Sequence, residues 1–191
     1  MATLETQQLD QIIVNSRRKM LTMGGTALAA MLFTGTAKAH AQSAVTDTDI
    51  LNFALNLEYL EAQFYTLAVF GVTIDNLPTP IPISVNGGTG GSVALKPSFA
   101  KVPFANALIA DYARETAIEE GKHVSFLQTA LGKSAVSMPN LDLYNSFNAL
   151  ASAAGIGSAL DPFANDAFFL IGAYIFEDVG VSAYGGAAAL I

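Results

Sequence analysis

Residues 50–70 contain neither glycine nor proline, and their apolar side chains recur at steps of three and four. This spacing places them along one face of an α-helix, which repeats about every 3.6 residues. Residues 46–49, Thr-Asp-Thr-Asp, precede the run and offer Thr or Asp as a helix N-cap, and Gly71 ends it. The chain therefore contains a long helix with a buried face, and any fold must supply a partner for that face.

Two further long helices are predicted from the same periodicity. One covers residues 104–131 and is closed by Gly132. The other begins at the Asp161-Pro162 step and covers residues 161–184, because proline is favoured in the first turn of a helix. No strand pattern competes with these helices, so the sequence predicts an all-α fold.

The connections between the long helices are uneven. Residues 71–103 hold five prolines and a glycine-rich patch, which predicts a long loop with a short hairpin within residues 81–93. Residues 141–154 are expected to form a short helix, and residues 151–157 a flexible break. Loops as long as the first are uncommon inside a compact domain and are often functional.

Each predicted helical stripe carries ionisable residues in phase with its apolar side chains: Glu58 on the first, Glu120 with His123 on the second, and Glu177 on the third. Burying a lone carboxylate costs several kcal/mol unless it is paired or binds a metal. Glu120 and His123 are three residues apart and share a helix face. Carboxylate bundles that hold two iron or two manganese ions use this pattern, so we expect these four residues to be metal ligands.

Two other interpretations of these residues stay open. The carboxylates could instead form a polar core or pair with Arg114 or Lys122. The helix phase could also be displaced, so that Glu61 or Glu119 points inward. Glu61 lies one turn from Glu58, and we treat it as a second-choice ligand.

Tyr65 and Tyr184 each follow a glutamate by seven residues, Glu58 and Glu177 respectively. Seven residues make about two helical turns, so each tyrosine shares a face with its glutamate. The first and third helices therefore show a weak internal repeat. Each tyrosine could donate a hydrogen bond to a ligand carboxylate and so support the metal site.

Composition narrows the function classes. The 191 residues include no cysteine, which excludes disulfides and thiolate metal sites. From residue 42 onward there are five basic and fourteen acidic residues, a net charge of −9. Such a segment is a poor nucleic-acid binder, because phosphate contacts need lysine and arginine.

The first 41 residues have the organisation of an export signal. Arg17 and Arg18 follow a polar start, residues 21–33 are uncharged and mostly apolar, and small residues lead up to Ala41. The apolar stretch is too short for a comfortable membrane span. We predict a twin-arginine signal peptide over residues 1–41, with a periplasmic or extracellular destination and no stable membrane span after cleavage.

Three segments resemble the exported ferritin-like domain family, which includes the desiccation-related proteins of plants. They are DILNFALNLEYLEAQFY at residues 49–65, EGKHVSFL at residues 120–127 and FEDVGVSAY at residues 176–184. The resemblance covers about residue 47 to the end and implies a ferritin-like four-helix bundle over residues 42–191. It also implies Glu58, Glu120, His123 and Glu177 as inherited ligands, and two ions, iron or manganese, for each complete bundle.

The chain departs from that family where a fourth helix with a second Glu-x-x-His should begin, at residues 185–191. His123 is also the one histidine beyond the signal segment. We expect the sequence to be a piece of a longer protein; the alternatives are a helix supplied by another chain, which a homo-oligomer would allow, or a reduced bundle.

Three functions follow from these patterns. The first is oxidoreductase chemistry such as iron oxidation or peroxide removal, and the second is metal binding or storage. The third is a structural, stress-protective or interaction role for a bundle without metal.

Overall fold

A computed structural model describes residues 45–187. Within them lie four helices: α1 (Asp47–Phe70), α2 (Ala107–Leu131), α3 (Asn145–Ala154) and α4 (Asp166–Ala187). The connections hold two 3-10 turns, Ile74–Asn76 and Gly132–Ser134, and two strands, β1 (Val93–Ala94) and β2 (Leu141–Asp142). The predicted all-α class is confirmed. The signal segment predicted for residues 1–41 lies outside the described residues.

Helix α1 is the centre of the molecule, and almost every side chain from Ala54 to Val69 is buried. Its ends follow the sequence signals. Thr46 Oγ1 accepts a hydrogen bond from the Asp49 N–H while the Asp49 carboxylate accepts from the Thr46 N–H, a capping box. Gly71 ends the helix at φ 75°, a left-handed conformation that glycine adopts without steric cost.

Helices α2 and α4 both run antiparallel to α1. Tyr59 in the middle of α1 accepts a hydrogen bond from Gln128 near the end of α2, whereas Phe70 at the end of α1 meets Arg114 in the first half of α2. The core between α1 and α4 is aromatic. The Phe64 ring lies within 6.2 Å, between ring centroids, of four other phenylalanines: Phe147, Phe163, Phe169 and Phe176.

Two helix starts differ from the prediction. Helix α2 begins three residues later than residue 104, because the Asn106 side chain accepts hydrogen bonds from the Leu108 and Ile109 N–H groups. Helix α4 begins at Asp166 instead of residue 161. The Asn165 side chain accepts from the Phe168 N–H and so caps this helix, which leaves Pro162 in the turn before it.

The predicted hairpin within residues 81–93 is wrong. Strand β1 pairs in parallel with β2, joining Val93 to Leu141, instead of folding back on its own loop. The helix predicted for residues 141–154 is shorter in the structure, because residues 141–142 form β2 and α3 begins at Asn145. Helix α3 continues to Ala154 and so includes the first residues of the break predicted for 151–157. The connections before and after α2 are both anchored on α1 by Gln63. Its side chain accepts a hydrogen bond from the Ile74 N–H of the first connection and donates to Met138 Sδ of the second at 3.2 Å.

Helix α4 is apolar on most of its circumference. By length and composition alone, residues 166–186 are long and apolar enough to cross a membrane. The most apolar stretch of this helix has a mean hydropathy of 1.3, and 22% of it is buried. A helix from the core of a bundle meets the same criteria. The side-chain contacts from α4 to α1 described below place it within the bundle.

Candidate metal centre

Glu58, Glu120 and His123 come together between α1 and α2. Both carboxylates are buried, with exposed fractions of 5% and 7%, whereas the imidazole is about half exposed. His123 Nδ1 lies 3.2 Å from Glu58 Oε2 and 3.1 Å from Glu120 Oε2. One ligand atom from each residue lies within 4.8 Å of the others, close enough for one cation to contact all three.

Glu177 does not join this group, and its predicted position on a buried stripe is wrong. Helix α4 buries Phe169, Gly172, Phe176 and Gly180, so the inward face lies one residue away from the predicted one. Glu177 is exposed in the described part of the chain. It nevertheless stays in contact with α1, because the Tyr65 hydroxyl donates a hydrogen bond to Glu177 Oε1 at 2.8 Å.

The two tyrosines cross between the helices. Tyr65 of α1 donates to Glu177 of α4, and Tyr184 of α4 donates to Glu58 Oε1 of α1. Burial, followed by the hydrogen-bonded carboxylate, raises the pKa of both hydroxyls, so both remain protonated donors. The seven-residue spacing seen twice in the sequence thus becomes a reciprocal pair of contacts. The Tyr184 contact leaves Glu58 Oε2 facing the histidine.

Glu61 is a third buried carboxyl, one turn after Glu58 on α1. Burial, and then the charges of Glu58 and Glu177, raises its pKa to about 9. The sequence analysis treated Glu61 as a second-choice ligand, and the structure places this residue beside the group formed by Glu58, Glu120 and His123. Helix α4 can approach it because Gly180 faces it; a β-carbon there would lie 3.3 Å from Glu61 Oε1.

Within residues 45–187, the acidic centre is not neutralised by lysine or arginine. Lys122 donates to Glu119 at 2.6 Å on the exposed side of α2, and the Arg114 guanidinium lies 5.3 Å from the centroid of the Phe70 ring. Among residues 45–187, no lysine or arginine forms an ion pair with Glu58, Glu61 or Glu120. Burial and the neighbouring Glu58 carboxylate accordingly raise the pKa of Glu120 well above its ordinary value.

This donor set fits a divalent transition metal. Buried carboxylates that repel one another are stabilised by a cation, and carboxylate oxygen with imidazole nitrogen suits iron, manganese or zinc. Glu58, Glu120 and His123 each offer one atom that could bind such an ion, while the Tyr184 hydroxyl donates a hydrogen bond to the other oxygen of Glu58. These residues therefore form a candidate carboxylate-rich metal site.

Comparison with known proteins gives the family. The ferritin-like domain family matches residues 46–191, so the chain belongs to the ferritin-like domain family. The chain is also 34% identical, over 145 residues, to the Desiccation-related protein PCC13-62 of Craterostigma plantagineum. That alignment covers 74% of this chain and 43% of the plant protein, so the chain spans less than half of that relative. No solved structure gives a significant match.

Proposed function

We propose that the protein binds a redox-active divalent metal, iron or manganese, through Glu58, Glu120 and His123. The observation that carries this proposal is the convergence of two buried carboxylates on one imidazole nitrogen, at 3.2 and 3.1 Å, with no lysine or arginine of residues 45–187 beside them. Membership of the ferritin-like family supports it.

Iron or manganese held there would supply one-electron chemistry toward oxygen or peroxide. The residues of this chain set the conditions for that chemistry. Glu58 and Glu120 must lose their protons to bind a cation, so metal binding releases protons into solution. His123 must offer Nδ1 as a neutral imidazole, and its half-exposed ring leaves the centre open to solvent on one side.

Tyr184 acts as a positioning residue in this proposal. Its hydroxyl holds Glu58 Oε1, which leaves Glu58 Oε2 directed toward His123 and fixes the orientation of the carboxylate. Glu177 and Tyr65 repeat the arrangement from the other helix. We propose Glu177 as a ligand of a second ion, whose remaining ligands would come from outside the described residues or from another chain.

A second candidate function is a structural role without metal. It is favoured by one observation: both oxygens of Glu58 already have protein partners, Tyr184 and His123. The likeness to a desiccation-related plant protein supports a stress-related role for either candidate. We also propose export through the twin-arginine route, which the Arg17-Arg18 pair predicts. Replacing both arginines by lysine should stop the export of a tagged chain.

Metal content separates the two candidates. The purified full chain, loaded with Fe²⁺ or Mn²⁺ without oxygen and then desalted, should retain metal by mass spectrometry. The variants Glu58→Ala and His123→Ala should lose it, whereas Glu119→Ala, next to Glu120 but solvent-exposed, should retain it. If the metal content of the unmutated chain is no higher than background, the metal proposal is refuted and the structural role is favoured. Oxidation of Fe²⁺ by the loaded chain then tests for enzymatic activity.

A further inference from the structure

A cleft of about 380 Å³ opens at the end of α1 that is remote from the metal centre. Its apolar walls include Val69, Val102 and Phe104, and two cationic side chains, Lys101 and Arg114, line it as well. Val69 follows Glu58 by eleven residues and Arg114 precedes Glu120 by six. At 1.5 Å per helical residue, the cleft lies about 16 Å along α1 and about 9 Å along α2 from the carboxylates.

The charge of this cleft is opposite to that of the chain. Residues 45–187 contain five basic side chains, and two of them line this one cleft. Lys96 pairs with Asp161 and Lys122 pairs with Glu119. Lys101 and Arg114, in contrast, form no ion pair with any carboxylate of the described residues, although acidic groups outnumber basic ones.

Both cations are held in place by contacts that leave their charges available. The Arg114 guanidinium lies over the Phe70 ring, 5.3 Å from its centroid, a cation–π contact that needs no carboxylate. The Lys101 stem packs at Gly71, where a β-carbon would lie 3.5 Å from Lys101 Cβ. Next to it, the Val102 N–H donates to the Ala68 carbonyl at 3.0 Å and fixes this segment on the end of α1.

The end of α1 explains only part of this charge. Helix α1 has no basic residue in its last turn, so the two cations offset the negative end of its dipole. That dipole is equivalent to about half an elementary charge, which leaves most of the two positive charges uncompensated.

We propose that this cleft binds a small organic carboxylate with an apolar body. The volume falls in the usual range for small-molecule sites, about 300–1,000 Å³. Arginine binds carboxylates through two parallel hydrogen bonds, and lysine adds a second charge. Val69, Val102 and Phe104 would cover an aromatic or short aliphatic body. The site is independent of the metal centre and of the function proposed for it.

The probe for this site is para-fluorobenzoate, titrated into the full chain and followed by ligand-observed fluorine NMR. Saturable binding is expected, with shifts of the Val69 and Val102 methyl signals. Arg114→Gln and Lys101→Gln should each weaken it about three- to tenfold, the effect of losing one partly exposed charged contact. Lys133→Gln is the matched control, a lysine in the turn after α2 at the other end of that helix, and should bind like the unmutated chain.

Three results would overturn the proposal. They are no saturable binding at millimolar probe, equal affinity for the uncharged amide analogue, and unchanged affinity in both variants. If circular dichroism shows that Arg114→Gln does not fold, the test rests on the affinity of Lys101→Gln and on the methyl shifts of the unmutated chain. A fall in melting temperature with unchanged affinity would assign both cations to the end of α1 alone.

Discussion

Glu61 should make the stability of the metal-free protein depend on pH. Burial and the neighbouring carboxylates raise its pKa from 4.5 to about 9 in the folded protein. The unfolded chain exposes the carboxyl, so its pKa returns to the ordinary value. Between these two pKa values the folded protein holds a proton that the unfolded chain has released. The free energy of unfolding must therefore fall as pH rises through this window, and is greatest below it.

The size of the effect follows from proton linkage. One bound proton changes the free energy of unfolding by about 1.4 kcal/mol for each pH unit. From about pH 6 to about pH 8, which lies inside the window, Glu61 should cost the folded state about 2.5 kcal/mol. Glutamine is nearly isosteric with the protonated acid and has no charge to lose. The Glu61→Gln variant should therefore lack this part of the pH dependence while remaining as stable as the unmutated chain at the lower pH.

Urea denaturation of chelator-treated protein at both pH values measures this difference. Glu120 adds its own slope in both proteins, so the comparison isolates Glu61 and its coupling to Glu120. Glu119→Gln is the control, because Glu119 is exposed, its pKa is lowered by the Lys122 hydrogen bond, and it should not change the slope in this range. An equal loss of stability with pH in Glu61→Gln and in the unmutated chain would refute the raised pKa of this carboxyl.

Three further predictions address packing, capping and the metal centre. Gly172→Ala would place a β-carbon 2.9 Å from Phe64 Cζ and should lower stability by about 1–3 kcal/mol in urea denaturation, whereas Gly185→Ala, with open space around it, should not. Thr46→Ala removes the capping side chain of α1 and should cost about 1 kcal/mol by the same assay; an unchanged midpoint would contradict the capping box. Tyr184→Phe should weaken Mn²⁺ binding about tenfold in calorimetry without changing the fold, and an unchanged affinity would remove Tyr184 from the centre.

Local patterns in the sequence were enough for the helices and for part of the centre. The span of α1 follows from a capping Thr or Asp within residues 46–49, its terminal Gly71 and the absence of glycine and proline between them, all of which act within a few residues. The structure identifies the cap as Thr46. The i, i+3 spacing places Glu120 beside His123 on any regular helix. The three motifs also indicated a ferritin-like domain, which the comparison confirmed.

The face of α4 that points into the bundle could not be predicted from local sequence patterns. Apolar side chains occur on several of its faces, including exposed Phe168 and buried Phe169, so periodicity does not single out one inward stripe. Only the packing of Phe169 and Phe176 against Phe64 selects the face, and that selection leaves Glu177 exposed. The pairing of the tyrosines across helices depends on the same docking.

Contacts between segments far apart in the chain could not be predicted from the sequence either. Strands β1 and β2 are separated by an entire long helix, and each has only two residues, too few to show a strand pattern. The burial of Glu61 and the cleft beside Arg114 also depend on how α2, α4 and the long loop close around α1. The sequence by itself determined which residues form helices and which chemistry they carry, because those signals are local. The tertiary structure decided which of those side chains meet, because contact depends on the packing of elements far apart in the chain.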